Sequence, residues 1–110
     1  MQLTWDQFEQ VEIRVGTILQ ANDFPKARNP AYQLLIDFGE HGVKRSSAQI
    51  TKLYQKEDLV GKQIIAVVNF PPKQIANFVS ECLVLGVMGA DKEVTLLKPE
   101  REAVNGLRIG

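Results

Sequence analysis

The sequence is poor in the residue types that most often build metal and imidazole-dependent sites. Its 110 residues contain one histidine, His41, and one cysteine, Cys82. A single cysteine forms no intrachain disulfide, and the apolar run that follows Cys82 is typical of a buried, reduced thiol of low reactivity. His41 lies in a glycine-bounded turn, where we expect an exposed side chain rather than a general base or a metal ligand.

Motifs for nucleophilic or phosphate chemistry are also absent. Ser46, Ser47 and Ser80 have no G-x-S-x-G surroundings, and no glycine-rich phosphate loop occurs in the chain. Hydroxyl groups that hydrogen-bond at strand ends explain these serines better than nucleophiles do. We therefore expect a protein that is not an enzyme, with no catalytic residues, no metal and no cofactor.

No charge excess and no long apolar run is present. The 13 basic and 13 acidic residues cancel, so any basic surface must be local, because nonspecific binding of nucleic acid depends on excess cations. No stretch approaches the roughly 18 apolar residues that would span a bilayer, and the N-terminus lacks a signal-peptide pattern. We expect a soluble cytoplasmic protein without membrane insertion, folded as one domain over residues 1–110.

What the chain does contain is a series of strand patterns. Thr4 with Gln7 forms a capping box that predicts a short N-terminal helix. From Val11 the apolar residues recur at every second position until Gly16 interrupts them, which indicates a bulge in a long bent strand. Further predicted strands cover residues 32–38, 44–49, 63–70, 82–88 and 94–97, with a short helix around residues 50–54.

This order predicts an all-β fold. A five-stranded Greek-key barrel, the OB-fold, fits it better than a sandwich, which needs about seven comparable strands. Short helices are expected at the N-terminus and between strands 3 and 4, with a β extension at the C-terminus. Asn105-Gly106 marks a turn in that extension.

Several segments together resemble the CsaA family of secretion-associated chaperones of bacteria and archaea. They are "VEIRVGTI", "NDFPKARNPAYQLLIDFG", "SSAQITKLY", "VGKQIIAVVNFPPKQIANFVSECLVLG" and "VNGLRIG", which cover nearly the whole chain. That family is similar in turn to the OB-fold tRNA-binding domains appended to methionyl-tRNA synthetases. The resemblance implies a homodimer without catalytic activity that binds exported precursor proteins in unfolded form, independently of ATP, and assists their secretion. The alternative it leaves open is a tRNA-binding protein.

Two departures from the tRNA-binding pattern favour the chaperone. Ala48-Gln49 replaces the usual Ser-Gly before the isoleucine, and the loop after Asn69 carries one cation, Lys73, where a basic run is usual. Fewer cations mean fewer phosphate contacts. The apolar residues of this loop suit an unfolded polypeptide instead. The predicted client-binding residues are Ser46, Ser47, Gln49, Phe70, Pro72, Ile75 and Phe78.

A second set of polar residues could contact RNA or acidic clients: Lys44, Arg45, Lys52, Lys73 and Ser80. Strand alternation leaves an alternative open for the serines, since neighbouring residues point to opposite faces and one of them can point into the barrel. Gln49 could likewise cap the short helix. Trp5 and Phe8, three residues apart on one helix face, are the predicted dimer contacts, although packing against their own domain is an equal alternative.

Overall fold

The computed structural model describes residues 1–110 as a barrel of short antiparallel strands with two short helices. The helices are α1 (Trp5–Glu9) and α2 (Lys56–Leu59), and single 3₁₀ turns occur at Gly39–His41 and Ala90–Lys92. The strands are β1 (Ile13–Asp23), β2 (Tyr32–Asp37), β3 (Val43–Ala48), β4 (Gln63–Val67), β5 (Lys73–Ile75), β6 (Phe78–Ser80), β7 (Leu83–Val84), β8 (Gly86–Met88) and β9 (Val94–Leu96).

The main sheet has five strands in the order β3-β2-β1-β4-β7, all antiparallel. The segment before β7 returns to β3, where the Glu81 N–H donates to the Arg45 carbonyl at 2.8 Å. The Ser47 N–H donates to the Ser80 hydroxyl at 3.1 Å. We call this contact between β3 and residues 80–82 the seam, because it nearly closes the sheet into a barrel. The predicted OB-type barrel is confirmed.

Strand β1 is long enough to serve two partners. Its first half, Ile13 to Thr17, pairs with β4, and its second half pairs with β2 as far as Asp23. The register shifts between Ile18 and Gln20, so the bulge that the sequence predicts exists but lies beyond Gly16.

Gly16 has a different role from the one predicted. A Cβ atom there would lie 2.7 Å from side-chain atoms of Ile36 and Phe38. The glycine therefore lets β1 approach the core closely. The interruption of the apolar pattern at this position is caused by the close packing and not by the bulge.

The core fills the barrel interior and follows the period-two pattern of β2. Leu34, Ile36 and Phe38 are at most 1% exposed and pack with Ile18 and Ile64. Alternate residues of β2 face outwards, as expected for a strand with one buried face. This buried stripe explains why β2 could be predicted from sequence alone.

The helix predicted around residues 50–54 is wrong in position. Ile50 is buried in a turn, and the Tyr54 carbonyl accepts a hydrogen bond from the Tyr32 hydroxyl at 2.8 Å. The helix, α2, starts later and has Gln55 at its N-cap. Gln49 is therefore not a helix cap, and the apolar spacing that suggested a helix serves core contacts in a turn.

The C-terminal β extension is confirmed, with more breaks than the sequence indicated. The predicted strand at residues 82–88 is divided into β7 and β8 at Leu85, and β8 forms a hairpin with β9. The last residues run beside β1, where Val15 donates to the Leu107 carbonyl at 3.0 Å and Ile109 donates to the Ile13 carbonyl at 2.7 Å. The free edge of the first half of β1 is covered in this way.

Candidate ligand-binding site

The largest of three main concavities is a groove of about 740 Å³ between the seam and the β5–β6 hairpin. The hairpin spans Lys73 to Ser80 and was predicted only as a loop, because three-residue strands give little periodicity. The groove brings together five of the seven predicted client-binding residues: Ser47, Gln49, Phe70, Pro72 and Ile75. Lys73 and Ser80 of the second predicted set also line it.

The groove is apolar at one side and carries little charge. The Phe70 side chain is 53% exposed and Leu83 is 48% exposed, so both are available to a ligand. Lys73 and Glu81 are the only charged residues in its lining. Glu81 is already engaged, because its carboxylate accepts from the Arg45 backbone N–H at 3.0 Å and lies 3.4 Å from the Arg45 Nε. Such a surface suits uncharged ligand groups.

Ser46 does not belong to the groove. It is 1% exposed, and its hydroxyl donates to the Cys82 carbonyl at 3.0 Å inside the barrel. The prediction that Ser46 contacts a client is therefore wrong, and the alternative, a serine pointing into the barrel, is confirmed. The cause is the alternation of β3, which turns Ser46 inwards and Ser47 outwards.

Ser80 has a structural partner on each side. Its hydroxyl accepts from the Ser47 N–H and lies 3.4 Å from the Cys82 carbonyl, to which it donates. These bonds replace part of a regular strand ladder at the seam. Ser80 lines the groove, yet its hydroxyl is committed to holding the barrel closed.

Phe78 lies on a different surface from Phe70, contrary to the expectation that one apolar surface contains both. Its ring centroid is 5.4 Å from that of Phe24, and the Arg45 guanidinium carbon is 5.7 Å from the same ring. Phe78 and Arg45 line a smaller cleft of about 190 Å³ on the outer face of β1, β2 and β3. We call it the outer cleft. Its other lining residues are Gln20, Asn22, Gln33, Leu34 and Leu35.

The predicted cations are dispersed. Lys73 lines the groove and Arg45 the outer cleft, whereas Lys52 lines a third concavity of about 370 Å³ together with Lys92. Lys44 lies half-buried on β3 and lines none of these three. The third concavity shares Gln49 with the groove, and Arg45 contacts Glu81 of the groove lining, so Lys52 and Arg45 both lie on surfaces that adjoin the one containing Lys73.

Cys82 forms part of the groove floor and is chemically quiet. Burial raises the pKa of its thiol to about 11, although a hydrogen bond with Ser46 acts in the opposite direction. The thiol therefore stays protonated at neutral pH and is a poor nucleophile. This confirms the buried, free thiol that the sequence predicted.

His41 is exposed in the 3₁₀ turn at Gly39–His41, as predicted. No group of three or more histidine, cysteine, aspartate or glutamate side chains is arranged to hold a metal ion. No helix combines the length and the apolar character needed to cross a membrane.

Sequence reasoning missed five residues of the groove. Pro71, Gln74, Glu81, Cys82 and Leu83 line it beside the predicted residues. Pro71 and Gln74 are chain neighbours of predicted residues, so treating residues 70–75 as one continuous wall would have included them. Glu81 and Leu83 become part of the groove only through the seam, which no local pattern reveals.

A five-stranded barrel with a sparsely charged groove beside its seam is the architecture of an OB-fold. The family model described as "Putative tRNA binding domain" matches residues 13–108. The chain belongs to this tRNA-binding-domain family. The match covers the whole barrel and the segment that runs beside β1.

Two solved structures of the same family are similar along their full length. One is the chaperone CsaA of Bacillus anthracis, which is 51% identical, with a TM-score of 0.95 and all of both chains covered. The other is the CsaA chaperone protein of Picrophilus torridus, which is 52% identical, with a TM-score of 0.92 over 99% of this chain and 100% of that one. The resemblance to CsaA proposed from sequence is therefore confirmed.

Other relatives are connected with methionyl-tRNA synthetase. A MetRS-related protein of Pyrococcus horikoshii is 26% identical, with a TM-score of 0.87 and full coverage of both chains. The methionine–tRNA ligase of Leptospira biflexa is 38% identical over 104 residues, which is 94% of this chain and 15% of the ligase. The chain thus spans about 15% of the length of such ligases.

Proposed function

We propose that the protein is a homodimeric, ATP-independent chaperone that binds exported precursor proteins in unfolded form in the cytoplasm and so assists secretion. The observation that carries this proposal is the groove, which combines exposed apolar side chains with neutral hydrogen-bonding groups and one unpaired cation. Unfolded chains present apolar side chains and backbone amides in any sequence, and this mixture can accept both. The two CsaA chaperones that share the fold along its full length support the same function.

Within the groove, Phe70 and Ile75 are the proposed apolar contacts, with Pro72 beside them. Ser47 and Gln49 would supply hydrogen bonds at the opposite side. Phe78 lines the outer cleft and is therefore not among the proposed contacts in the groove. Ser46 is excluded by its burial.

The proposed dimer rests on exposed apolar side chains at one end of the molecule. Trp5 is 84% exposed, so it does not pack against its own domain, while Val104 is 70% and Leu107 54% exposed. Arg108 connects the two segments, because its guanidinium lies 3.6 Å from the Glu9 carboxylate. Phe8, half-buried, lies on the same helix. A second copy of the chain would cover this surface.

Light scattering after size exclusion tests the dimer. We expect twice the 12.3 kDa mass of one chain, and Trp5→Ser should shift the protein towards the single-chain mass. Thr95→Ser, an exposed position on β9, is a control that should leave the mass unchanged. A wild-type mass of 12.3 kDa at micromolar concentration would refute the dimer.

A second candidate function is binding of tRNA, and the family match together with the ligase relatives favours it. Its contacts would be Lys44, Arg45, Lys52 and Lys73. Only Lys73 lines the groove itself, which weakens this candidate, because affinity for a phosphate backbone grows with the number of cations that can engage it together.

A paired titration by fluorescence anisotropy separates the two functions. The probes are a labelled unfolded precursor peptide and a labelled tRNA, each at two salt concentrations. The chaperone should bind the peptide with an affinity that survives added salt, and should bind tRNA weakly. Tight tRNA binding that falls steeply with salt, without peptide binding, would establish the second function instead.

Two matched variants locate the site. Phe70→Ala with Ile75→Ala should weaken peptide binding and leave any tRNA binding intact, whereas Arg45→Ala with Lys73→Ala should mainly lower tRNA affinity and flatten its salt dependence. Equal loss of both ligands in either variant would indicate one shared site or misfolding. Circular dichroism distinguishes these two cases.

A further inference from the structure

The groove has a free strand edge along one wall. Strand β5 pairs with β6 and with no other strand, and all three of its residues line the groove. A free edge offers backbone N–H and C=O groups to an extended chain. Which of these groups point into the groove follows from the register of the hairpin.

The register places the free groups at Gln74. Ile75 pairs with Phe78 across the two-residue turn Ala76-Asn77, and Lys73 pairs with Ser80. In such a hairpin the pair beside the turn exchanges hydrogen bonds, and bonded pairs then alternate with non-bonded ones. The N–H and C=O of Gln74 therefore point away from β6. Gln74 makes no backbone hydrogen bond outside this hairpin.

Neighbouring residues confine the free edge to this one position. Pro71 and Pro72 have no N–H to donate, and the Gln74 side chain turns back to the hairpin tip, where its Nε2 donates to the Ala76 carbonyl at 2.8 Å. The side chain thus leaves its own backbone uncovered. Prolines on a short edge also oppose open-ended association between copies of a sheet, so the edge suits a short partner segment.

The charge of the groove selects the type of partner. Lys73 and Glu81 are its only charged lining residues, and Glu81 is engaged with Arg45. A strand of uncharged residues complements this wall, whereas a polyanion does not. We propose that the groove binds its polypeptide as an added β-strand paired with the backbone of Gln74. This inference rests on the chaperone function proposed above and specifies how the groove binds.

Backbone N-methylation of a peptide tests the pairing. The probe is a short fluorescein-labelled peptide in which Val, Leu and Phe alternate with Ser and Thr, methylated at one backbone nitrogen at a time. The methyl group removes a donor and leaves the side chains unchanged. One position should lower the affinity by roughly 3- to 30-fold, the effect of losing a hydrogen bond, and the positions directly before and after it should have little effect.

Two substitutions at the same residue test the protein side. Gln74→Pro removes the N–H that points into the groove, and proline is tolerated where an edge N–H faces solvent. Gln74→Ala removes only the side chain. We expect Gln74→Pro to lose roughly 3- to 30-fold more affinity for the unmethylated peptide than Gln74→Ala does. Thermal unfolding of both variants checks the fold; if Gln74→Pro does not fold, the N-methyl series decides alone.

The outcomes separate this inference from the proposed function. A flat N-methyl series would overturn strand addition, and so would a folded Gln74→Pro that binds like wild type; in both cases Phe70→Ala with Ile75→Ala would still weaken binding. If the wild-type protein binds no peptide, or if that double variant binds equally well, the chaperone function and the inference both fail. Competition of the peptide by tRNA with loss of the N-methyl pattern would identify an RNA site instead.

Discussion

The barrel wall and the groove differ in how they are held together. In the wall, β1, β2 and β3 form continuous ladders with one face buried, and Leu34 and Ile36 are at most 1% exposed. At the groove, strands are two or three residues long, and the seam depends on side-chain hydroxyls such as Ser80. The wall supplies most of the stability, whereas the groove leaves apolar groups and a strand edge available to a ligand.

The largest difference between the barrel wall and the groove should be in their contributions to the free energy of unfolding. Ile36→Ala in the wall removes a fully buried side chain and should lower the free energy of unfolding by about 2 to 5 kcal/mol. Leu83→Ala in the groove, where the side chain is 48% exposed, should lower it by less than about 1.5 kcal/mol. Urea denaturation measures both values. Equal losses would mean that the groove is as integral to the core as the wall.

The seam should be sensitive to alkaline pH through Cys82. Its folded-state pKa of about 11 exceeds the ordinary value of 9.0. The buried, protonated thiol therefore contributes its full stabilisation of the folded state below pH 9. As pH rises from 9 to 11 the unfolded state loses the proton first, and unfolding becomes about 2 to 3 kcal/mol more favourable. Other groups titrate in this window, so the difference between wild type and Cys82→Ala is the quantity to measure. Parallel pH profiles for the two proteins would contradict the burial of the thiol.

Phe70 and Phe78 should differ in how much they contribute to peptide affinity. Phe70→Ala with Ile75→Ala should weaken peptide binding roughly tenfold or more, because about 1.4 kcal/mol of apolar contact corresponds to a factor of ten. Phe78→Ala removes a ring of the same type from the outer cleft and should change peptide affinity less than about twofold. Anisotropy titrations give both numbers. A larger effect at Phe78 would move the site to the outer cleft.

The smallest effect is expected at the hairpin tip. Ala76 has a φ of 51°, which is strained for a residue with a Cβ. Ala76→Gly removes this strain and should stabilise the protein by up to about 1 kcal/mol, reduced by the greater freedom of glycine in the unfolded chain. Asn77→Gly is the control, since its φ is not positive, and it should destabilise slightly. Thermal unfolding distinguishes the two directions.

Sequence reasoning succeeded where burial imposes a regular pattern. The period-two runs of β1 and β2, the capping box at Thr4 and Gln7, and the succession of strands along the chain all follow from local rules. Thr4 accepts from the Gln7 N–H at 3.1 Å and donates its own N–H to the Gln7 side chain at 2.9 Å, as the motif requires.

It failed where contacts distant in sequence decide the outcome. Gly16 marks an approach of Ile36 and Phe38, and the apolar residues around Ile50 serve the core in a turn rather than in a helix. The separation of Phe70 from Phe78 depends on the β5–β6 hairpin, whose three-residue strands leave no periodic signal. Seven of the twelve residues that line the groove could be predicted, because most of them lie in two short segments, residues 47–49 and 70–75.

The most direct test of the account is to map the peptide by ¹⁵N chemical-shift changes on the wild-type protein. Titration with the uncharged alternating peptide should move the amides of Gln49, Gln74, Ile75 and Leu83 around the groove, with little change at Gln20, Asn22 and Gln33 of the outer cleft. Changes confined to the outer cleft, or none at all at saturating peptide, would contradict the groove as the functional site.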